Sequence, residues 1–216
     1  MSIKHLLAVF ILACLGRCAM AEQPTNGVPN KQQIWGLIPK SADAPLGAQE
    51  QKDIKRVIGY GPAVLPVLAE LLNEQADEKT RFSRLMVSRI IAIAQQVEGD
   101  REPVLSVLRH LLTYQDEDVR RYAVTGVGAM GKVRDADVLL PLMKDPSEVI
   151  RVNTVHALGK IGDEDVATKM ESILQERKSG LTNDQIRRDN SFVHGYQAIS
   201  NIVARYTSAE ERKQGR

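Results

Sequence analysis

The chain has 216 residues, of which 43% are hydrophobic and 26% charged, and a formal net charge of +2. Lys4 and Arg17 are the only lysine and arginine among the first 21 residues, which hold no acid, so the rest of the chain carries 27 basic and 27 acidic residues. That balance removes the cation surplus on which sequence-independent nucleic-acid binding depends, and the length allows one domain or one short array.

Lys4 and His5 give a positive start, Leu6 to Leu15 a short apolar core, and Ala19-Met20-Ala21 a small-x-small site before Glu22. The pattern predicts a secretory signal peptide over residues 1–21. An uncleaved anchor and a buried first helix are the alternatives, but the apolar core is too short to span a bilayer as a stable helix. Lipid attachment is disfavoured at Cys18 by the Arg17 before it, and at Cys14 by the very short apolar core that would remain. Cleavage removes both cysteines. The mature chain then has no disulfide, thiol nucleophile or cysteine metal ligand, and no stable membrane span. An exported protein of this kind must rely on its core. A bacterial periplasm fits best, with an extracellular destination as the alternative.

Residues 22–47 are rich in Pro, Gly, Asn, Gln and Ser and predict a flexible leader or linker. Ile34-Trp35-Gly36-Leu37-Ile38 interrupts it and holds the only tryptophan. It reads as a segment covering the apolar edge of the first helical unit, with a partner-binding motif as the alternative. From Ala48 the pattern is helical to about Tyr206, and residues 207–216 form a charged, frayed tail. Ile54, Val57 and Ile58 give one stripe. Pro62 opens the next helix as a first-turn residue, whose wide apolar face runs from Val64 to Leu72 past a bend at Pro66. The stretch from about Lys79 to Val97 predicts the longest helix, ending at Gly99-Asp100. Val104 to Leu112 repeats the wide face. Asp145 is expected to cap a helix with Pro146 at its first position and Glu148 completing a capping box. Asp163 caps the next helix, and Thr182 with Gln185 forms another box. No segment shows sustained period-two alternation, so the chain is all-α.

Asp116 to Gly162 holds two copies of one pattern, since Val119-Arg120 recurs 31 residues later as Ile150-Arg151. A period of this length in helical code predicts a solenoid. Four copies align on Arg81, Arg120, Arg151 and Arg187, the outer two degenerate as capping units are. In the middle copies, Gly126 and Gly128 lie inside a helix, where each costs about 1 kcal/mol against alanine, and their expected return is close helix approach.

Val138-Leu-Leu-Pro-Leu, Asp145-Pro146, Ile150-Arg151, Ala157-Leu158-Gly159 and Ile161-Gly162 together resemble the HEAT-repeat family, closest to the short HEAT-like repeats first noted in phycobilisome lyases. The resemblance covers Ile54 to Tyr206, strongest in the middle. It implies a short right-handed α-solenoid of antiparallel helix pairs, about four repeats over residues 48–206, with the second helix of each pair lining a concave face. It also implies a ladder of Asp–Arg contacts between repeats. Tyr114 occupies the turn position held by Asp145 one repeat later, so the ladder is expected to be interrupted. The repeat arginines are expected to bind turn carbonyls or a neighbouring turn carboxylate.

Relative to each aligned arginine, positions −1, +3, +6 and +7 should be buried and +1, +2, +5 and +9 should face out. The outward set is Phe82, Ser83, Met86 and Ile90; Arg121, Tyr122, Thr125 and Ala129; Val152, Asn153, His156 and Lys160; and Arg188, Asp189, Phe192 and Tyr196. The candidate binding residues are Arg121, Tyr122, Thr125, Asn153, His156, Lys160, Arg188 and Phe192. Tyrosine and arginine are enriched at binding hot spots, so this face suits a protein or peptide segment. His110, His156 and His194 have no helical ligand spacing between them, and no metal site or cofactor is expected. No nucleophile motif is present. The expected function is an exported scaffold or assembly module without catalysis. The alternatives are a lyase-type enzyme or enzyme accessory using the repeat as a substrate platform, and a self-associating spacer.

Overall fold

A computed structural model describes residues 29–41, 46–78 and 80–214, with side chains as far as Ser208. The predicted signal peptide and both cysteines lie outside these residues. Among the described residues there are eleven α-helices and no strand. They are α1 (Lys31–Leu37), α2 (Ala48–Gly59), α3 (Leu65–Asp77), α4 (Arg81–Ala94), α5 (Glu102–Leu111), α6 (Glu117–Met130), α7 (Ala136–Leu139), α8 (Glu148–Ile161), α9 (Glu164–Ser179), α10 (Asn183–Arg188) and α11 (Asn190–Gln214). None is long and apolar enough to cross a membrane.

Prolines set the finer boundaries. The helix expected from Pro62 is a 3-10 turn, Gly61–Val64, followed by α3 with Pro66 in its first turn. Pro141 does the same after α7, where Leu140–Lys144 is 3-10. A proline lacks the N–H that would continue the previous helix but tolerates the first turn of a new one. Asp163 and Thr182 cap as predicted, and Asp116 caps α6. Asp145 does not cap α8. Ser147 takes that place, accepting weakly from Ile150 N–H at 3.4 Å, while Asp145 accepts from Ser147 N–H and turns its carboxylate toward the previous repeat. Glu148 is likewise not in a box, but accepts from the backbone and side chain of Asn190.

The helices form a two-layer solenoid of four hairpins. Helices α3, α5, the α7 segment and α9 make one layer, and α4, α6, α8 and α11 the other. The broadest contacts run within the second layer, from α6 to α8 and from α8 to α11. One continuous core fills the space between layers, from Ile34 at one end to Ile202 at the other. Gly128 allows the α6–α8 approach, since a Cβ there would lie 2.6 Å from the Ala157 Cβ and 2.8 Å from its Cα. Gly159 faces Ala198 across α8 and α11 in the same manner.

Part of the stretch read as a flexible leader is ordered structure. Asn30 and Gln33 form a capping box that starts α1, and Ile34 and Ile38 are fully buried against the first repeat. Burying such a side chain contributes about 1.5–3 kcal/mol, enough to hold a seven-residue helix that would be marginal alone. Arg89 of α4 then donates to the carbonyls of Pro39 and Ser41, fixing the chain beyond it. The segment is a cap on the array, as expected for the tryptophan region.

At the other end the expected single helix is broken. Asp189 is extended (φ −90°, ψ 99°) and separates α10 from α11. Its carboxylate accepts from the backbone and hydroxyl of Ser191, starting α11. Helix α11, not α4, is the longest at 25 residues, and it runs on to Gln214 where a frayed tail was expected.

Candidate functional site

The arginine ladder is continuous. Arg84 meets Asp116 at 3.1 Å, Arg120 meets Asp145 at 3.2 Å, and Arg151 meets Asp189 at 2.9 Å. The expected interruption at Tyr114 does not occur because Asp116, two residues later, supplies the carboxylate. The contacts of Arg84 and Arg120 through Nε are ion pairs by distance without aligned N–H geometry. Arg120 also donates to the carbonyls of Tyr114 and Gln115, and Arg151 to those of Asp145 and Pro146. Each of these two arginines therefore ties its own turn to the carboxylate of the next repeat. The rungs at Asp145 and Asp189 are the more buried, with side chains 7% and 10% exposed. A second stitch, Arg109 to Glu102 and to the buried Asp135, joins α5 to the turn after α6.

The ladder also corrects the register. In the first copy the equivalent arginine is Arg84, not Arg81. Ser83, Val87, Ile90 and Ile91, at positions −1, +3, +6 and +7 from Arg84, are all buried. Ser83, Met86 and Ile90, expected to face out, are therefore core, and only Phe82 of that set is exposed. In the last copy Phe192 is 3% exposed beneath the Arg177 guanidinium, and Asp189 is a ladder carboxylate. Neither belongs to an open face. Arg188 is exposed at the end of α10, a helix separate from α11.

The remaining candidates fall in two places. Arg121 and Tyr122 line a trough of about 780 Å³ with Lys40, Arg81, Phe82, Arg84, Leu85 and Asp118. Here the guanidinium of Arg121 lies over the Tyr122 ring, 4.5 Å from its centre, and donates to Asp118 at 2.9 Å. Phe82 is 41% exposed and meets Trp35 edge-on. Lys40 donates to the carbonyls of Trp35 and Ile38 and sits 4.5 Å above the indole, and burial pushes its ammonium below the ordinary lysine value.

His156 and Lys160 line a second hollow of about 200 Å³ with Gly159, His194, Gln197, Ala198 and Asn201. The rings of His156 and His194 stand 4.7 Å apart. Burial, then His194 and Lys160, hold the His156 imidazole below its usual value. Thr125 spends its hydroxyl on the Arg121 carbonyl, and Asn153 donates to the Val149 carbonyl, both within their own helices.

Sequence reasoning missed Lys40, Arg81, Leu85, Asp118 and His194. The apolar run Val87, Ile90 and Ile91, which fits Arg84 as the aligned residue, was the available signal for the trough's α4 wall. No signal pointed to Lys40, which the cap delivers. His194 reaches His156 through the close approach of Gly159 and Ala198, which helical spacing within one element does not reveal.

Residues 104–187 match the family model of HEAT repeats. That stretch, under half of the chain, is similar to HEAT repeats. The match is to HEAT repeats as such and does not single out the short lyase-type variety. No curated protein and no solved structure matches the chain. The arginine ladder continues beyond the matched residues at both ends, to Arg84 before them and Asp189 after them.

Proposed function

We propose that this chain is an exported HEAT-repeat scaffold that holds a segment of a partner protein on the face made by its second helices. The observation that carries the reading is the trough between α4 and α6, where Phe82, Arg121 and Tyr122 are presented together beside the cap. Aromatic and arginine side chains of this kind supply much of the energy at protein interfaces. Catalysis is not part of the reading. The one acidic group lining the trough, Asp118, is engaged by Arg84 and Arg121, which suits a structural carboxylate better than an acid or base. Export, with residues 1–21 removed and a periplasmic destination, is supported by the pattern around Ala19-Met20-Ala21.

Affinity capture of the mature protein from an envelope extract tests both parts. Wild type should recover a defined set of proteins that the Tyr122→Ala/His156→Ala variant loses. Mass analysis of the protein purified from its cells should show a chain beginning at Glu22. Equal recovery by the two forms, or no recovery by either, would remove the support for the binding face. A chain retaining residue 1 would do the same for export.

A further inference from the structure

The charges of the trough are unevenly paired. Four cations line it, namely Lys40, Arg81, Arg84 and Arg121. Arg84 is met by Asp116 and Asp118, and Arg121 shares Asp118. Lys40 and Arg81 have no ion pair among the described residues. Lys40 is held in place by two carbonyls and an indole face, an arrangement that orients an ammonium without neutralising it. Arg81 is exposed on the first turn of α4, where the helix dipole already favours negative charge. Between these cations lie the exposed Phe82 and the half-buried Leu85 and Tyr122.

We propose that the trough takes an acidic peptide segment bearing an aromatic or aliphatic anchor, its carboxylates meeting Lys40, Arg81 and Arg121 and its anchor resting among Phe82, Leu85 and Tyr122. The assignment rests on the binding-face reading above and adds the chemistry of the occupant. It also makes the cap part of the site, because Lys40 comes from outside the repeats. Charge complementarity of this sort sets specificity and association rate. A single-stranded nucleic acid is the less suited anion. The cations form a cluster interrupted by Asp116 and Asp118, without the run of phosphate-spaced contacts that drives such binding.

The test is fluorescence anisotropy on the full mature chain with three labelled probes. They are a hexapeptide of four glutamates, one phenylalanine and one leucine, the same peptide with glutamine for glutamate, and an oligothymidylate of ten nucleotides. The acidic peptide should bind at least about tenfold more tightly than its glutamine analogue, and more weakly as salt rises. Arg81→Glu, at an exposed position, should weaken the acidic peptide by about tenfold or more with the melting temperature unchanged. Tyr122→Ala should weaken both peptides.

Equal affinity for the two peptides, or indifference of the acidic peptide to Arg81→Glu, overturns the acidic assignment. In that case continued sensitivity to Tyr122→Ala keeps the binding-face reading. Binding that ignores both Tyr122→Ala and Arg81→Glu, or no peptide binding at all, overturns the two together. Tighter binding of the oligothymidylate, lost in Arg81→Glu, replaces the peptide with a nucleic acid.

Discussion

Replacing Asp189 by alanine should destabilise the chain by about 3–5 kcal/mol, the cost of leaving buried charges without their partner. The carboxylate is 10% exposed and faces Arg151 and Arg177, themselves 14% and 13% exposed. It also accepts from Ser191, so its loss removes the start of α11 along with the last rung of the ladder. Asp189→Asn keeps an acceptor for Ser191 and should cost less than the alanine variant. Burial alone would push the Asp189 carboxyl up, but the Ser191 hydroxyl and N–H, with Arg151 and Arg177, more than reverse this and hold it below its ordinary 3.8. The unfolded chain therefore binds this proton at a higher pH than the folded chain does. The stabilising contribution is fully present above the ordinary value and is lost as pH falls through the folded-state value. Urea denaturation should show wild type losing stability below about pH 4 more steeply than Asp189→Asn. A change of less than about 1 kcal/mol in Asp189→Ala, the range of an exposed pair, would show that this rung is not structural.

Gly128→Ala should destabilise although alanine is the better helix former. The gain in propensity is about 1 kcal/mol, but the new methyl would meet the backbone of α8 at the Ala157 Cα, 2.8 Å away. Backbone cannot rotate aside, so α6 and α8 must separate along their whole contact. Overpacking of this kind costs about 1–3 kcal/mol. Gly126→Ala is the internal comparison. Its methyl would meet the end of the Leu108 side chain, Cδ1 at 2.8 Å, and the branch methyl of Ile91, Cγ2 at 3.1 Å, side-chain rather than backbone contacts. That variant should stay within about 1 kcal/mol of wild type. Thermal melts of the two should therefore rank Gly128→Ala well below Gly126→Ala. The reverse order would mean that the seam between α6 and α8 is looser than its geometry.

The middle repeats were legible because each of their signals agrees with the others. Val119, Ala123, Gly126 and Val127 in α6, and Ile150, Thr154, Ala157 and Leu158 in α8, are all buried as the register required. In α4 the sequence offers Arg81, Arg84 and Arg89 on one helix, and nothing local singles out the one that faces the next repeat. Burial of Ile90 and Ile91 decides for Arg84, but apolar residues surround all three choices. At the far end, continuous helical pattern hid the break at Asp189, whose extended backbone is imposed by partners 12 and 38 residues away in Arg177 and Arg151. The trough was half legible. Arg121 and Tyr122 belong to the repeat pattern, whereas Lys40 reaches them only because Ile34 and Ile38 dock the cap and Arg89 holds the carbonyls of Pro39 and Ser41 on either side of it. Such long-range placement leaves no local pattern to read.

Stacking is carried by the arginine ladder and the small-residue seam, and the proposed recognition surface is the trough, which shares Arg84 with the ladder. Hydrogen exchange on the full mature chain, with and without the acidic phenylalanine-containing hexapeptide, tests that assignment most directly. Saturating peptide should slow exchange in residues 39–41 and in the first turns of α4 and α6, leaving α9 and α10 unchanged. Slowing confined to α9–α11, or none at saturation, would contradict it.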